Sequence, residues 1–459
     1  MLGKTIRVAA VCLMTLSLGL WLGGCATEEP AVLHASDAAA ARLNRGMPAY
    51  PKIRMLVMAD PHVYDPSLGT TGSAFREYLL QDRKMLVESV ELLEETVRRM
   101  IREEADFVLV PGDLTKDGER LSHELVAGRL ALLEGAGLPT YVLPGNHDIA
   151  NPHAYRYSGE ETEPVESVSA EQFRDIYYRF GFDEAVAEDP HSLSYVTEPA
   201  PGLWLFALDC CLYRENTDHP VTGGRFSPET LAWITGMLEE AAAGGKSVIA
   251  AMHHGILEHY AGQKKFHSEY VIDDYQTVSR LFAEYGVRLV FTGHYHAQDV
   301  TAGRWDTEAG PRFLFDIETG SLVTPPNPFR LVEITADQRL IVESRFIDSI
   351  PSRPSGFLAY AEDYLATGLE EVVFATLRGY RVSRRSSRIV APQVTAAIAA
   401  HYAGDETPPS VLLDLKGVGL WGRFVARTQR YFLEGLWNDL EPPDNELAID
   451  LKYGTWEPE

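Results

Sequence analysis

Seven residues of types that bind metal ions follow short apolar runs at five separate places in the sequence. Each run has the length of a buried strand, and an Asp, Asn or His comes within three residues of its end. Imidazole suits zinc and iron, whereas carboxylate suits manganese and magnesium, so the mixture indicates Mn, Fe or Zn. A carboxylate can also bridge two ions, and two ions about 3.5–4 Å apart can hold both the attacking and the leaving oxygen of a phosphoryl group. The candidate ligands are Asp60, His62, Asp113, Asn146, His253, His294 and His296.

The apolar runs predict a β-α-β-α-β arrangement around these residues. Strands are predicted over Ile53–Met58, Phe107–Val110 and Thr140–Leu143, with amphipathic helical patterns between them. Further strands are predicted directly before His253 and shortly before His294. Alternating strands and helices favour a parallel sheet, and ligands collect at the carboxyl ends of its strands. We therefore expect the seven side chains to meet at one edge of the structure.

This five-part signature resembles that of the calcineurin-like metallophosphoesterases, and the resemblance covers about residues 53–346. The matching motifs are, in order, Asp60-x-His62, Gly112-Asp113, Gly145-Asn146-His147-Asp148, His253 and Gly293-His294-x-His296. The resemblance implies two divalent transition-metal ions and hydrolysis of a phosphoester by a hydroxide that bridges them, without a covalent intermediate. By that resemblance, one ion is held by Asp60, His62, Asp113 and His296, and the other by Asp113, Asn146, His253 and His294.

The same resemblance implies roles for residues beside the ligands. His147 is the predicted phosphate contact and leaving-group acid, and Asp148 is predicted to orient it. The predicted substrate-binding residues are Asn146, His147 and His254, although His254 could instead be a packed neighbour. Three further histidines have two interpretations, because each could line the cleft or be a hydrogen-bonded structural residue: His123, His259 and His267.

Flanking residues resemble a narrower group, the bacterial lipoprotein cyclic-nucleotide phosphodiesterases with a helical C-terminal domain. The likeness is carried by Gly112-Asp113-Leu114-Thr115 with Gly118-Glu119, by the His253-His254 pair and by Leu208-Asp209. The expected substrate is therefore a small phosphodiester, first of all a 3′,5′-cyclic nucleotide. Two alternatives stay open: an extracytoplasmic phosphomonoesterase or nucleotidase, and a weakly active surface-binding lipoprotein that keeps its metals as a structural staple.

The first 25 residues are typical of a targeting segment. Lys4 and Arg7 begin it, an apolar run extends from Val8 to Leu22, and Leu22-Gly23-Gly24-Cys25 resembles the bacterial lipobox, in which the cysteine carries lipid. A plain signal peptide or an N-terminal membrane anchor are the alternatives. We expect an extracytoplasmic bacterial lipoprotein that is attached to the membrane through Cys25, with residues 26–50 as a tether.

Charge and composition restrict the partners. The formal net charge is −25, so a nucleic-acid polymer is not an expected partner. Cys12 leaves with the signal and Cys25 would carry lipid. The cysteines that then remain are Cys210 and Cys211, which are adjacent and are not expected to form a disulfide. One basic run is either a solvated helix face or a contact for anionic lipid or cell-wall polymer, and it contains Arg378, Arg381, Arg384, Arg385 and Arg388.

The expected fold is α/β (α+β), a four-layer sandwich of two mixed β-sheets flanked by helices, over residues 51–350. The Pro-Ser-Arg-Pro-Ser-Gly segment that begins at Pro351 predicts a linker. Mostly helical patterns follow it, so we expect a small helical C-terminal domain over residues 351–459.

Overall fold

The computed structural model describes residues 33–80, 82–307 and 310–458; Cys25 and the predicted signal segment lie outside these residues. The helices are α1 (Asp37–Leu43), α2 (Ser73–Leu79), α3 (Ser89–Met100), α4 (Arg120–Gly135), α5 (Ala170–Ile176), α6 (Pro228–Gly244), α7 (Gln263–Phe266), α8 (Tyr275–Glu284), α9 (Phe357–Gly379), α10 (Arg384–Ala403), α11 (Leu420–Thr428) and α12 (Arg430–Leu436). Short helical turns cover Pro66–Leu68, Tyr178–Phe182, Tyr213–Glu215 and Ser268–Tyr270. No helix among the described residues is long and apolar enough to cross a membrane.

The strands are β1 (Ile53–Val57), β2 (Phe107–Pro111), β3 (Thr140–Leu143), β4 (Tyr155–Ser158), β5 (Glu161–Pro164), β6 (Ala187–Glu188), β7 (Tyr195–Ala200), β8 (Leu203–Leu208), β9 (Ser247–Met252), β10 (Leu289–Thr292), β11 (Asp299–Thr307), β12 (Gly310–Glu318), β13 (Pro328–Ile334), β14 (Arg339–Phe346), β15 (Glu446–Asp450) and β16 (Thr455–Pro458). The strands β4 and β5 form a separate two-stranded hairpin.

Two seven-stranded mixed sheets face each other. Their strand orders are β16-β15-β14-β13-β1-β2-β3 and β11-β12-β10-β9-β8-β7-β6. The strands β1, β2 and β3 are parallel, as are β8, β9, β10 and β12, whereas the outer strands pair antiparallel. Helices α3 and α4 pack with the first sheet, and α6 and α8 pack with the second. The predicted sandwich of two mixed sheets flanked by helices is confirmed.

The central strands of the second sheet are buried on both faces. Leu205 and Ala207 of β8 enter the core between the two sheets. Their neighbours Trp204, Phe206 and Leu208 enter the core beneath α6 and α8. Successive side chains of a strand point to opposite faces, so both sets must be apolar. This explains why the run from 203 to 208 contains no polar residue.

The C-terminal region differs from the prediction of a helical domain over residues 351–459. Helices α9, α10 and α12 share an apolar core, but the chain then returns to the first sheet. There β15 pairs antiparallel with β14, and Leu447 and Ile449 enter the core between the sheets. The final strands therefore complete the first sheet. The five-residue run of β15 is too short to distinguish from a helical segment by pattern alone.

The predicted tether over residues 26–50 also contains a packed element. Ser36 caps α1, its Oγ accepting a hydrogen bond of 3.2 Å from the Ala39 backbone N–H. Ala39 and Leu43 are buried in the core beside α6. The residues from Asp37 to Leu43 are thus part of the folded body.

Candidate active site

The seven candidate ligands lie together where the carboxyl ends of the two sheets meet. Asp60 and Asp113 follow β1 and β2 of the first sheet, and His253 and His294 follow β9 and β10 of the second. Five of the seven adopt the left-handed backbone region, which costs a non-glycine residue about 1–3 kcal/mol. Their φ angles are 50° at Asp60, 38° at His62, 49° at Asp113, 78° at His294 and 68° at His296. Backbone strain is concentrated at the turns that direct these side chains inward.

One group of donors surrounds Asp60. The Nε2 atoms of His62 and His296 are 3.1 Å apart, and they lie 3.8 Å and 3.6 Å from Oδ1 of Asp60. Oδ2 of Asp113 is 3.5 Å from Nε2 of His62. Asp60 and His62 are fully buried. Burying carboxylates is costly unless a cation compensates them, so these two imidazoles and two carboxylates fit one divalent ion.

A second group of donors shares Asp113. Its Oδ2 lies 3.3 Å from Nε2 of His253, which in turn is 3.1 Å from Oδ1 of Asn146. The rings of His253 and His294 have centroids 4.6 Å apart. Asp113, His253 and His294 also bring ligand atoms within 4.8 Å of one another. Because the same oxygen of Asp113 is close to both groups, it is in position to bridge two ions.

Hydrogen bonds to the opposite ring nitrogens orient the imidazoles. Nδ1 of His253 lies 2.9 Å from the Pro111 carbonyl oxygen, and Nδ1 of His296 lies 3.2 Å from Oγ1 of Thr324. A carbonyl oxygen can only accept, so Nδ1 of His253 carries the proton and its Nε2 is free to bind a metal ion.

Two glycines allow the carboxylates to approach the backbone. A Cβ atom at Gly145 would lie 2.1 Å from Oδ1 of Asp113, and one at Gly293 would lie 2.3 Å from Oδ2 of Asp60. Both distances are far below van der Waals contact, so any side chain would displace a ligand. This is the physical reason for the glycine before Asn146 and before His294.

The two carboxylates differ in their tendency to ionise. Burial opposes ionisation of Asp113, but His253, His147 and His62 hold its pKa well below the usual range. Burial raises the pKa of Asp60 to about 8; His253 opposes this rise and Asp113 adds to it. Asp60 therefore needs a further cation nearby to be ionised at neutral pH. A divalent ion supplies that charge, so the chemistry of the donor set fits a dinuclear centre.

The sequence profile of the calcineurin-like phosphoesterases matches residues 53–298, more than half of the 459-residue chain. The chain belongs to the calcineurin-like phosphoesterase family. It is therefore a phosphoester hydrolase of a family that uses dinuclear metal centres.

Several solved structures are similar to this phosphoesterase. A dimetal phosphatase from Danio rerio is 17% identical, with a TM-score of 0.44, over 65% of this chain and 97% of that one. A candidate 5′-nucleotidase from Staphylococcus aureus, in complex with alpha-ketoglutarate, is 16% identical, with a TM-score of 0.39, over 69% and 59%. The purple acid phosphatase PPD1 from yellow lupin is 13% identical, with a TM-score of 0.37, over 64% and 52%. None of the curated proteins matches the sequence.

His147 is held by Asp117 and not by Asp148. Nδ1 of His147 lies 2.9 Å from Oδ1 of Asp117 and 2.6 Å from the carbonyl oxygen of Lys116. Nε2 of the same ring lies 4.0 Å from Oδ2 of Asp113. Asp117 is buried and forms an ion pair with the buried Lys116 ammonium. The free ring nitrogen of His147 thus faces the ligand cluster, where a leaving-group acid is needed.

The prediction that Asp148 orients His147 is wrong. The Asp148 carboxylate accepts hydrogen bonds from the backbone N–H groups of Leu114 at 3.1 Å, Thr115 at 2.9 Å and Gly145 at 2.8 Å. It therefore fixes the loop after β2 to the loop after β3, and its role is structural. Neighbours in a tight turn can direct their side chains to opposite sides, so adjacency to His147 was a poor guide.

The prediction that His254 binds substrate is also wrong. Its Nε2 lies 2.7 Å from the Thr222 carbonyl oxygen, and its Nδ1 lies 3.2 Å from Sγ of Cys210. The ring is fully buried and packs on the ring of His294, with centroids 4.2 Å apart. His254 therefore supports a ligand from behind.

Several of the candidate ligands line a cavity of about 160 Å³. Six of its lining residues were not predicted, namely Asp82, Arg83, Lys84, Thr222, Tyr270 and Tyr295. The segment between α2 and α3 carries a run of charged residues but no spacing motif, and only tertiary folding brings it here. The full lining is Asp82, Arg83, Lys84, Asp113, Asn146, His147, Thr222, Tyr270, His294, Tyr295 and His296.

Arg83 and Lys84 bring two cations to the wall of this cavity. Lys84 is only 6% exposed; its Nζ lies 3.3 Å from Oδ2 of Asp82, and its carbonyl oxygen accepts a 2.8 Å hydrogen bond from the Tyr364 hydroxyl. Tyr402 of α10 is the chief group that raises the pKa of Arg83. Nε of Arg83 is buried and has no hydrogen-bond partner among the described residues. Both cations can compensate an anionic substrate.

Of the three histidines with two interpretations, two are buried in the core and one lines a cavity. His123 is buried, and its Nδ1 lies 2.9 Å from the Tyr177 hydroxyl. His259 is buried against Asp299, with 2.7 Å between Nδ1 and Oδ1. Neither lines the cavity, whereas His267 lines a smaller cavity of about 20 Å³ that shares Arg83 with it.

Asp113→Ala should remove both metal ions and nearly all turnover, because no other carboxylate among the described residues belongs to both donor groups. His147→Ala is the matched control, since His147 is outside the donor set and its loss should leave the metal content intact. Elemental analysis should find about two transition-metal ions per chain in the parent and in His147→Ala, but less than half of that in Asp113→Ala. Near-normal activity of Asp113→Ala would contradict the bridging role.

Asp117→Asn should keep the metal ions but slow the hydrolysis of alkyl phosphoesters, because the acceptor that orients His147 loses its negative charge. The fall in turnover should be smaller than the rate enhancement of about 10²–10⁴-fold that general acid catalysis contributes.

Asp148→Asn should instead lower the melting temperature, since three backbone N–H groups lose an ionised acceptor. Turnover on alkyl and nitrophenyl esters, measured beside thermal unfolding, separates the two. A leaving-group-dependent loss in Asp148→Asn alone would reverse the assignment.

Proposed function

We propose that this phosphoesterase hydrolyses small phosphodiesters and that 3′,5′-cyclic nucleotides are its first substrate class. The observation that carries the proposal is the His147–Asp117 pair beside the ligand cluster. Opening a cyclic diester expels an alkoxide, whose conjugate acid has a high pKa, so the leaving oxygen needs a proton. His147 has its Nδ1 engaged by Asp117 and its Nε2 on the side of Asp113, which suits it to deliver that proton.

The side chains divide the work around a bound phosphoryl group. Two divalent ions, when bound, would polarise the phosphoryl oxygens and lower the pKa of the attacking water. Asn146 and His147 are positioned to contact a phosphoryl oxygen from the wall that follows β3. Arg83 and Lys84, which lie on the segment between α2 and α3, compensate the negative charge of the phosphoryl group. The ring of Tyr270 also lines the cavity, where it packs against the ring of His294 with centroids 4.7 Å apart.

The size of the site favours a small substrate. A cavity of about 160 Å³ holds a phosphoryl group and part of its ester, not a stretch of nucleic acid. A larger groove of about 630 Å³ shares Asp82 with this cavity and is lined by Tyr360 and Tyr364 of α9. The groove offers room for the remainder of the substrate, including a base that could stack on tyrosine.

Phosphomonoester hydrolysis is the second candidate, and one observation favours it. Arg83 and Lys84 add two cations, against the one carboxylate of Asp82, to a site whose donors fit two divalent ions. A monoester is a dianion near neutral pH, whereas a diester carries one charge, so this excess of cations matches a monoester better.

A weakly active surface-binding lipoprotein is less well supported, because a structural metal site does not require the His147–Asp117 pair.

We also propose that the chain is a bacterial lipoprotein on the extracytoplasmic side of a membrane, anchored at Cys25. The support is the sequence of the leader, which combines a positive start, an apolar run and Leu22-Gly23-Gly24-Cys25. Mass spectrometry of the mature protein should find an acylated N-terminal Cys25, and Cys25→Ser should abolish the acyl mass. A mature N-terminus at another residue, without lipid, would refute the anchor.

The substrate proposal is tested by assaying the metal-loaded protein with Mn against a cyclic nucleotide, a nucleoside monophosphate and bis-para-nitrophenyl phosphate. The cyclic nucleotide should have a higher kcat/KM than the nucleoside monophosphate.

His147→Ala should cut turnover of the cyclic nucleotide by about 10²–10⁴-fold but affect the nitrophenyl ester much less, because nitrophenolate leaves without a proton. His191→Ala, an exposed histidine, is the control. A preference for the monophosphate would favour the second candidate, and equal losses on both diesters would mean that His147 only positions phosphate.

A further inference from the structure

Helix α11 presents a strongly apolar face to solvent. Its side chains Leu420, Trp421 and Phe424 are 89%, 54% and 56% exposed, and these three residues are termed the α11 face. Val411 and Tyr431, which flank the helix in sequence, are 62% and 50% exposed. A concentration of large apolar side chains within about twenty residues is unusual on a protein surface and marks an interaction site.

The α11 face is held in place by the fold. Gly422, Val425 and Ala426 on the opposite side of the helix are buried. The rings of Trp421 and Phe424 stack with centroids 5.2 Å apart. Nε1 of Trp421 donates a 2.9 Å hydrogen bond to the Tyr380 carbonyl oxygen, at the turn between α9 and α10. The apolar rings are thus preorganised at the surface and do not collapse into the core.

Arginines surround the α11 face on a protein that is otherwise acidic. Between Arg378 and Arg430 the sequence has nine Lys and Arg residues but only three Asp and Glu, whereas the whole chain has a charge of −25. The backbone N–H of Gly419 donates a 3.1 Å hydrogen bond to Oγ of Ser386, which brings α11 against the first turn of α10. That turn and its flanks carry four exposed arginines, Arg381, Arg384, Arg385 and Arg388.

These arginines are available to a partner. Within the part of the chain that the structure describes, none of the four forms an ion pair with a carboxylate. Arg423 and Arg427 of α11 itself likewise form none there. Several arginines elsewhere on this acidic surface, such as Arg174 and Arg120, do pair with glutamates. The region is therefore a cationic island with an apolar centre.

We propose that the α11 face and its arginines dock on a bilayer that contains anionic phospholipid. Trp and Phe favour the boundary between headgroups and acyl chains, and arginine attracts anionic headgroups. A soluble anionic polymer would use the arginines but not Leu420, Trp421 and Phe424. A second copy would present the same cations and repel them. The inference stands on this surface alone and does not depend on the proposed substrate.

The test uses the full chain in vesicles of phosphatidylcholine with or without phosphatidylglycerol, each containing lipid brominated on its acyl chains. Brominated chains quench tryptophans that reach the acyl boundary. Quenching should be strong with phosphatidylglycerol, and Trp421→Phe should remove that additional quenched intensity. Trp456→Phe, on β16, is the matched control and should retain it. Arg384→Gln/Arg385→Gln/Arg388→Gln should reduce quenching to the level found with phosphatidylcholine alone.

Three outcomes would overturn the proposal. Quenched intensity that is the same in Trp421→Phe and the parent would mean that the α11 face does not reach the bilayer. Equal quenching in both vesicle types, unchanged by the arginine substitutions, would remove the anionic headgroup from the explanation. A change in Trp421 emission with soluble polyphosphate, but none with brominated lipid, would assign the surface to an anionic polymer. Thermal unfolding of each variant confirms that it is folded.

Discussion

The carboxylate of Asp113 is the interaction on which the rest of the site depends. Its Oδ2 is close to a histidine of each donor group, and its Oδ1 accepts a 2.9 Å hydrogen bond from the backbone N–H of His147. One side chain thus lies between the two donor groups and also holds the backbone of His147, the candidate leaving-group acid. Because it is almost completely buried, its charge must be matched by cations from both sheets.

Local backbone features follow from that requirement. Ligands must enter a small space from five turns. Three of these turns place ligands in the left-handed region, and two use glycine where a Cβ would strike a carboxylate. Asp148 fixes two of these turns to each other through backbone N–H groups. The strain is tolerable because large apolar cores on both sides of the sheets hold the strands in place.

The C-terminal helices contact two of the residues that line the active-site cavity. The hydroxyl of Tyr364 on α9 holds the carbonyl of Lys84, and Tyr402 on α10 interacts with Arg83. The backbone of Tyr402 also accepts a 3.2 Å hydrogen bond from the N–H of Gln298, just after the last ligand turn. The helical region that presents the α11 face to solvent therefore also contacts Arg83 and Lys84, which line the active-site cavity.

The sequence by itself determined the family, the sandwich of two sheets and the residues that assemble at its edge. Each candidate ligand is encoded locally, by an apolar strand, a tight turn and a polar residue, so a short window contains all the information. Tertiary structure alone decided that Asp117, and not the adjacent Asp148, holds His147, because that choice depends on how two loops pack. Tertiary structure likewise decided that Arg83 and Lys84 line the active-site cavity and that His254 is buried behind His294. It also decided that β15 pairs with β14 in the first sheet. These features join segments far apart in the chain, and no spacing or periodicity within one segment can specify a contact between two.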